Sequence, residues 1–317
     1  MLWVIVLFAV GLVLTIKGGD YFVDAASWLA EVTGIPKIVV GATIVSLATT
    51  LPELLVSVMA VSRGSVDMGV GNAVGSVTCN LGLILGISLV CLPGKVKRKE
   101  LIFKGLLMMG AGAALWLMCW NGWLLPWQGV LLMAILTVFV LHNVRHAASG
   151  SRAIRQGREH LRATRLQILV NVSKFLLGAA GILLGARLLV DNGSAIARAL
   201  GVPESIIGLT LVALGTSLPE LVTTIAALLK KQSDMSVGNI LGANIIDLTL
   251  ILGVCAFVAP EGLPIAQQTL RLDLPVCLVL MAIAVLPAFR GNHFRRWQGL
   301  SLLAGYGTYL VLLMLTM

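Results

Sequence analysis

The stretch TTLPELL at residues 49–55 recurs as TSLPELV at residues 216–222. Each copy lies inside a long apolar run, and each sets a carboxylate, Glu53 or Glu220, directly after a proline, Pro52 or Pro219. Both placements are costly in a membrane. Proline has no N–H and crowds the carbonyl four residues earlier, so it kinks or breaks a helix. A carboxylate at the centre of a membrane span costs ~2.5–3.5 kcal/mol or more, and its default reading is functional. Making both placements twice points to one task shared by two copies.

The resemblance between the copies reaches further. GIPKIVVGATIVSLATTLPELLVSVMA at 34–60 pairs with GVPESIIGLTLVALGTSLPELVTTIAA at 201–227, and DMGVGNAVGSVTCNLGLILG at 67–86 pairs with DMSVGNILGANIIDLTLILG at 234–253. From Gly34 to Gly86, 23 of 53 paired positions are identical at a constant offset of 167 residues. Chance matches in apolar sequence do not align Pro36, Pro52, Glu53, Asp67, Gly71, Asn72 and Gly75 with their partners together. The period is a single duplication of a large unit rather than a solenoid.

Only 12% of the 317 residues are charged and 58% are apolar, with a mean hydropathy of +0.98. A soluble chain carries about a quarter charged residues, so the composition specifies an all-α polytopic membrane protein. Spans of ~20 apolar residues are expected at 2–25, 37–62, 68–92, 101–120, 124–143, 167–190, 204–229, 235–259, 272–288 and 297–316. These make about ten transmembrane helices in two five-helix repeats. Five is odd, so the second repeat is inverted. The expected division is a first repeat at 1–143, a basic cytoplasmic linker at 144–166 and a second repeat at 167–317. The apolar start has no basic n-region and reads as a retained first span.

The net charge of +9 sits in short segments at 95–100, 142–165, 230–232 and 289–296. All follow odd-numbered spans, so they share one side, which the positive-inside rule makes cytoplasmic. Both termini then lie outside, and Arg63 is the main conflict. The same clustering explains the basic excess without nucleic acid. The five cysteines, scattered and without a CxxC, read as apolar packers, and the four histidines as solvated loop residues. Asp20, Asp24 and Asp191 read as interfacial or structural, with Lys17 spaced to pair with Asp20. Asp67 and Asp234 look like helix N-caps.

The chemistry concentrates at the prolines. Pro52 frees carbonyls near Ala48 and Thr49, and Pro219 frees those near Gly215 and Thr216. Such carbonyls are tolerated at membrane depth only when they face protein, water or an ion. Glu53, Glu220 and the hydroxyls of Thr49, Thr50, Thr216 and Ser217 complete an oxygen-only set that suits sodium or calcium rather than zinc or copper. Ser76 and Asn80, four apart on the next helix, share a face, and their counterparts are Ala243 and Asp247. If the pseudo-symmetry holds, Glu53, Glu220, Asn80 and Asp247 meet near the midplane, where inverted-repeat transporters hold their cargo.

At these residues the chain resembles the two alpha-repeats of the cation/calcium antiporter superfamily, and within it the prokaryotic sodium/calcium exchangers. GATIVSLATTLPELLVS with GNAVGSVTCN, and GLTLVALGTSLPELVTT with GNILGANIID, carry the resemblance. It implies ten helices with the N-terminus outside, in a prokaryotic plasma (inner) membrane. It also implies one centre for transported sodium and calcium, with no other cofactor. Matched by motif, the ligands are Glu53, Glu220, Asp247, Asn80, Thr49, Thr216, Thr50, Ser217 and Ser76. Ala48, Val77 and Ala243 depart from the family pattern, and Ala243 removes one hydroxyl oxygen.

The expected function is antiport by alternating access, with calcium and several sodium ions competing for the same oxygens. A cation/proton antiporter of the same fold is the alternative. An intramembrane protease would need a GxGD or GxSG motif in a suitable context, and none occurs. A non-transporting scaffold leaves the duplicated acids unexplained.

Overall fold

The computed structural model describes residues 1–93, 98–157, 164–201, 213–259, 261–289, 291 and 293–316. Helix α1 is Leu2–Thr33, stopped by Gly34 at φ 73°. The next span is broken into α2, Lys37–Thr49, and α3, Leu51–Ser62, which meet at a 44° bend. Helices α4 (Val66–Cys91), α5 (Arg98–Met118) and α6 (Pro126–Gly157) complete the first half. In the second half, α7 is Arg165–Ala199. It is followed by a short α8 (Ala213–Thr216), α9 (Leu218–Leu229) and α10 (Ser233–Val258). Helix α11 is Leu274–Val285, with a π-helical turn Thr269–Asp273 before it and a 3-10 turn Leu286–Phe289 after it, and α12 is Arg296–Thr316.

Seven of these helices are long and apolar enough to cross a membrane, and the bent pair α2–α3 makes an eighth crossing. The remaining two are α8–α9, which matches the end of the expected span 204–229, and α11 with its flanking turns. Residues 202–212 lie outside the described residues. The protein is thus an all-α membrane protein of about ten spans in two inverted five-helix repeats. Expected boundaries hold to within a few residues except at α1 and α7. Those helices run to 32 and 35 residues, about 48 and 52 Å at 1.5 Å per residue, well over the ~30 Å hydrocarbon core. Helix α6 also continues to Gly157, so 144–157, expected as linker, is helical.

Contacts between connections agree with alternate crossings. The turns after the fourth and eighth spans pair as two-residue strands, Trp123–Leu124 with Leu263–Pro264. At the opposite end, Lys230 reaches Asp24 at 2.8 Å and Asp20 at 3.5 Å, and Arg98 bonds the Phe289 carbonyl at 2.5 Å. Exposed Trp120, Trp123 and Trp127 lie in or directly beside the strand pair, as interfacial tryptophans do. Asp20 therefore pairs with Lys230 rather than with Lys17 as its spacing suggested, because α9 ends beside α1. Asp191 pairs with Arg187 on the exposed surface of α7. Asp67 and Asp234 are each the second residue of a helix. Ser65 and Gln232, not the aspartates, hold the N-cap positions, and a carboxylate in the first turn is favoured by the helix dipole.

Helices α4 and α10 form the interior, with 72% and 83% of their membrane windows buried, against 22% for α1 and 17% for α7. The GNILG motif explains part of this. A Cβ at Gly242 would stand 2.7 Å from the Ala42 Cα and 2.6 Å from Ser46 Oγ, so only glycine lets α10 touch the α2 backbone. For the matching GNAVG motif, no described residue stands within 4 Å of a Cβ at Gly71 or Gly75. Helices α1 and α7 pack lengthwise in the same way. A Cβ at Gly18 would meet the Gly178 carbonyl oxygen at 2.8 Å.

Candidate cation-binding centre

Each proline break places a glutamate on a new helix end. Leu51, Pro52 and Glu53 open α3, and Leu218, Pro219 and Glu220 open α9. A carboxylate in the first turn of a helix is favoured by the partial positive charge of the N-terminus, which offsets part of the cost of carrying charge into the membrane. Both side chains are 1% exposed.

Around the first break the hydrogen bonds converge on one carbonyl. Ser46 C=O accepts the Thr50 N–H at 2.9 Å, the Thr50 hydroxyl at 2.6 Å and the Thr49 hydroxyl at 3.2 Å. Two amides, one half-buried and one buried, then tie each half's helices together. Asn72 on α4 donates to Ser57 Oγ at 2.9 Å and to the Glu53 carbonyl at 3.3 Å. Its counterpart Asn239 on α10 donates to Thr223 Oγ1 at 3.0 Å, and Thr223 in turn bonds the Pro219 and Glu220 carbonyls at 2.9 and 3.1 Å. Both amides brace the backbone that carries a glutamate.

A third carboxylate enters from α10. Asp247, 1% exposed, opens a π-helical turn at Asp247–Ile251, and Asn80, its repeat partner, opens another at Asn80–Leu85. Such turns inside α-helices concentrate at functional sites. Glu53 lies within electrostatic reach of Glu220 and Asp247, and Asp247 within reach of Glu220. Acids from both repeats therefore face one another in the interior. No other described residue hydrogen-bonds to either oxygen of Glu53, either oxygen of Asp247, or Glu220 Oε2. Ser76 Oγ and Asn80 Oδ1 are likewise buried and unpartnered. Natural interiors leave few polar atoms in that condition.

Of the nine residues singled out by sequence, eight are buried: Glu53, Glu220, Asp247, Asn80, Thr49, Thr50, Ser217 and Ser76. Thr216 is half-buried. Thr50 Oγ1 stands 3.4 Å from Glu220 Oε1, and Thr49 Oγ1 stands 3.5 Å from Asn239 Oδ1. Sequence reasoning passed over three neighbours. Asn244, opposite Val77 in the repeat, accepts from Asn80 Nδ2 at 3.1 Å. The Cys79 thiol lies against Ser217 and Tyr306. Asp273 is a buried acid, but its carboxylate accepts the Tyr309 hydroxyl at 3.1 Å, so it is already satisfied. The repeat alignment flags Asn244, whereas nothing in the pattern distinguishes Cys79 from the packing cysteines.

A separate polar group lies farther along α5. Glu100 is eight residues, about 12 Å of helix, before Met108, whose sulfur contacts Asn244 at 3.6 Å. Glu100 bonds Lys104 at 2.9 Å and His146 at 2.8 Å. The two histidines of α6 expected in solvent, His142 and His146, are thus partly buried on a carboxylate instead.

Comparison with known proteins agrees with this architecture. The family model for the sodium/calcium exchanger protein matches residues 3–145 and 171–315. The chain belongs to the sodium/calcium exchanger family. It is 35% identical to the inner membrane protein YrbG of Escherichia coli over 99% of this chain and 97% of that one. It is 29% identical to the sodium/calcium exchanger MaX1 of Methanosarcina acetivorans over 96% of both chains. The solved sodium-calcium exchanger NCX_Mj, soaked with Na+ and Sr2+, superposes with a TM-score of 0.82 at 29% identity, covering 98% of each chain. This member of the exchanger family is an integral membrane transporter rather than an enzyme.

Proposed function

We propose that this chain is a secondary antiporter exchanging sodium for calcium by alternating access, with both cations held at the centre between α3, α9, α4 and α10. The observation that carries this reading is the set of buried carboxylate oxygens of Glu53, Glu220 and Asp247 that lack hydrogen-bond donors. Anions shut away from water need cations. Calcium takes six to eight oxygens at about 2.3–2.6 Å, carboxylates among them. Glu53 and Glu220 supply the charge. Thr49, Thr50, Thr216 and Ser217 flank them, and Ser76, Asn80 and Asp247 extend the set so that sodium ions spread over the same oxygens. Calcium and sodium then exclude one another, which is the basis of exchange. With no cargo, the facing carboxylates repel one another in a low-dielectric interior, which disfavours reorientation of the unloaded protein.

The pseudo-symmetry supports dividing the chain into repeats at 1–143 and 167–317. Helices α1 and α7, outside the polar interior and packed on each other through glycine, are suited to slide across it. The basic connections, all of which follow odd-numbered spans in the sequence, fit a cytoplasmic face of a prokaryotic inner membrane with both termini outside. The sodium/calcium exchangers MaX1 and NCX_Mj, similar over nearly their whole length, support the choice of ions.

Radiocalcium uptake into proteoliposomes tests the coupling. Sodium-loaded vesicles should take up calcium when diluted into sodium-free buffer. Uptake driven equally by a proton gradient without sodium would instead favour cation/proton exchange.

A further inference from the structure

We infer that Glu100, His142 and His146 form a second cation site, selective for zinc-class divalent ions and distinct from the central carboxylates. His142 and His146 are four residues apart on α6, so their rings share one face, and Glu100 reaches that face from the start of α5. Glu100 Oε1 lies 2.8 Å from His146 Nε2 and 3.5 Å from His142 Nε2. The three ligand atoms all fall within 4.8 Å of one another. Ligands at ~2.0–2.1 Å from a tetrahedral ion are separated by about 3.3 Å, which the two observed distances bracket.

The surroundings hold this arrangement in place. Lys104, fully buried, takes the other carboxylate oxygen, Glu100 Oε2, at 2.9 Å and is itself fixed by Asn143 Oδ1 at 2.7 Å. Oε1 is left as the one carboxylate atom facing the imidazoles. Phe103 stacks on the His142 ring with centroids 3.7 Å apart. Partners of this kind orient the ligands in metal sites. A simple ion pair accounts for only part of the geometry. His146 satisfies Oε1, whereas His142 Nε2, aimed at the same point, is buried without a hydrogen-bond partner. One ion between the three atoms would engage both rings. Two imidazoles and one carboxylate, with the fourth position open to water, form a zinc-type donor set. The hard, oxygen-only centre would not select such an ion. The site would clamp α5 to α6.

The full-length protein, purified in detergent after chelation, should be titrated with Zn2+ against a chromophoric chelator. Wild type should bind one equivalent that His142→Ala/His146→Ala lacks and Glu53→Gln keeps. The Glu53→Gln arm separates failure of this site from failure of the central one. Zinc should also raise the Tm of wild type but not of the double variant. If the alanine pair does not fold, His142→Gln/His146→Gln preserves bulk without the imidazoles and should show the same loss. Equal zinc binding by wild type and either double variant, or no zinc equivalent on wild type, would overturn the assignment.

Discussion

Thr50 of the first repeat stands 3.4 Å from the Glu220 carboxylate of the second, across 170 residues of sequence. The Thr50 hydroxyl has a single proton, and the Ser46 carbonyl is closer, at 2.6 Å. The shorter bond takes the proton. Thr50 Oγ1 and Glu220 Oε1 are then two acceptors side by side with no hydrogen between them. Neighbouring ligands of a six-coordinate ion at ~2.4 Å are about 3.4 Å apart, so the pair has the spacing of one edge of a calcium shell.

Replacing Thr50 by valine keeps the shape and removes that oxygen. Calcium affinity should fall roughly tenfold, the ~1.4 kcal/mol expected for one polar contact. The fall would be read by calorimetric titration. A change below about twofold would mean that the hydroxyl serves only the Ser46 carbonyl.

The unliganded centre should be a point of weakness. Glu53→Gln replaces one of three neighbouring buried acids by a neutral amide of the same size, so in chelator without sodium the variant should melt no lower than wild type. Saturating calcium should then stabilise wild type by ~2.7 kcal/mol at a hundredfold excess over Kd and leave the variant almost unmoved. Thermal melts with and without calcium check both signs.

Position 243 breaks the symmetry of the repeats. Ser76 carries a hydroxyl where Ala243 carries a methyl, and Ala243 is fully buried. Ala243→Ser adds an oxygen beside Asp247. The sodium concentration that half-displaces calcium should fall, while calcium affinity without sodium should change less than about threefold. An unchanged sodium dependence would show that position 243 lies outside the sodium shell.

The glycine contact between α1 and α7 should matter for motion rather than for binding. Gly178 has no room for a side chain, since a Cβ there would meet the Phe22 backbone nitrogen at 2.6 Å. Gly178→Leu should force the helices apart at a cost of ~1–3 kcal/mol. Sodium-driven turnover should be slowed, with calcium affinity kept within a few-fold. Comparing flux with equilibrium binding separates the two effects.

Much of the candidate site was legible because duplication imposes two constraints on one pattern. Pro52 and Pro219 marked the breaks, Glu53 and Glu220 the buried charge, and the odd number of spans their inversion. What escaped was set by tertiary neighbours rather than by local pattern. Lys17 has the right spacing for Asp20, yet Lys230 takes it because α9 ends beside α1. His142 and His146 sit in a basic run that reads as solvated, yet α6 continues as a helix and turns both rings onto Glu100. Asp273 falls in an apolar span, and only the distant Tyr309 explains its tolerance. Asn72 and Asn239 are matched positions of the repeat, and the backbone they brace appears only in three dimensions.

The most direct test of the account is equilibrium radiocalcium binding to the purified protein, with sodium as competitor, for wild type, Glu53→Gln and Glu220→Gln. Wild type should bind calcium that sodium displaces. Either substitution should weaken that binding by about 3 kcal/mol, or roughly a hundredfold, the scale for removing one buried charged partner. Calcium binding of near wild-type strength in both variants would contradict the claim that the two proline-linked glutamates share one ion.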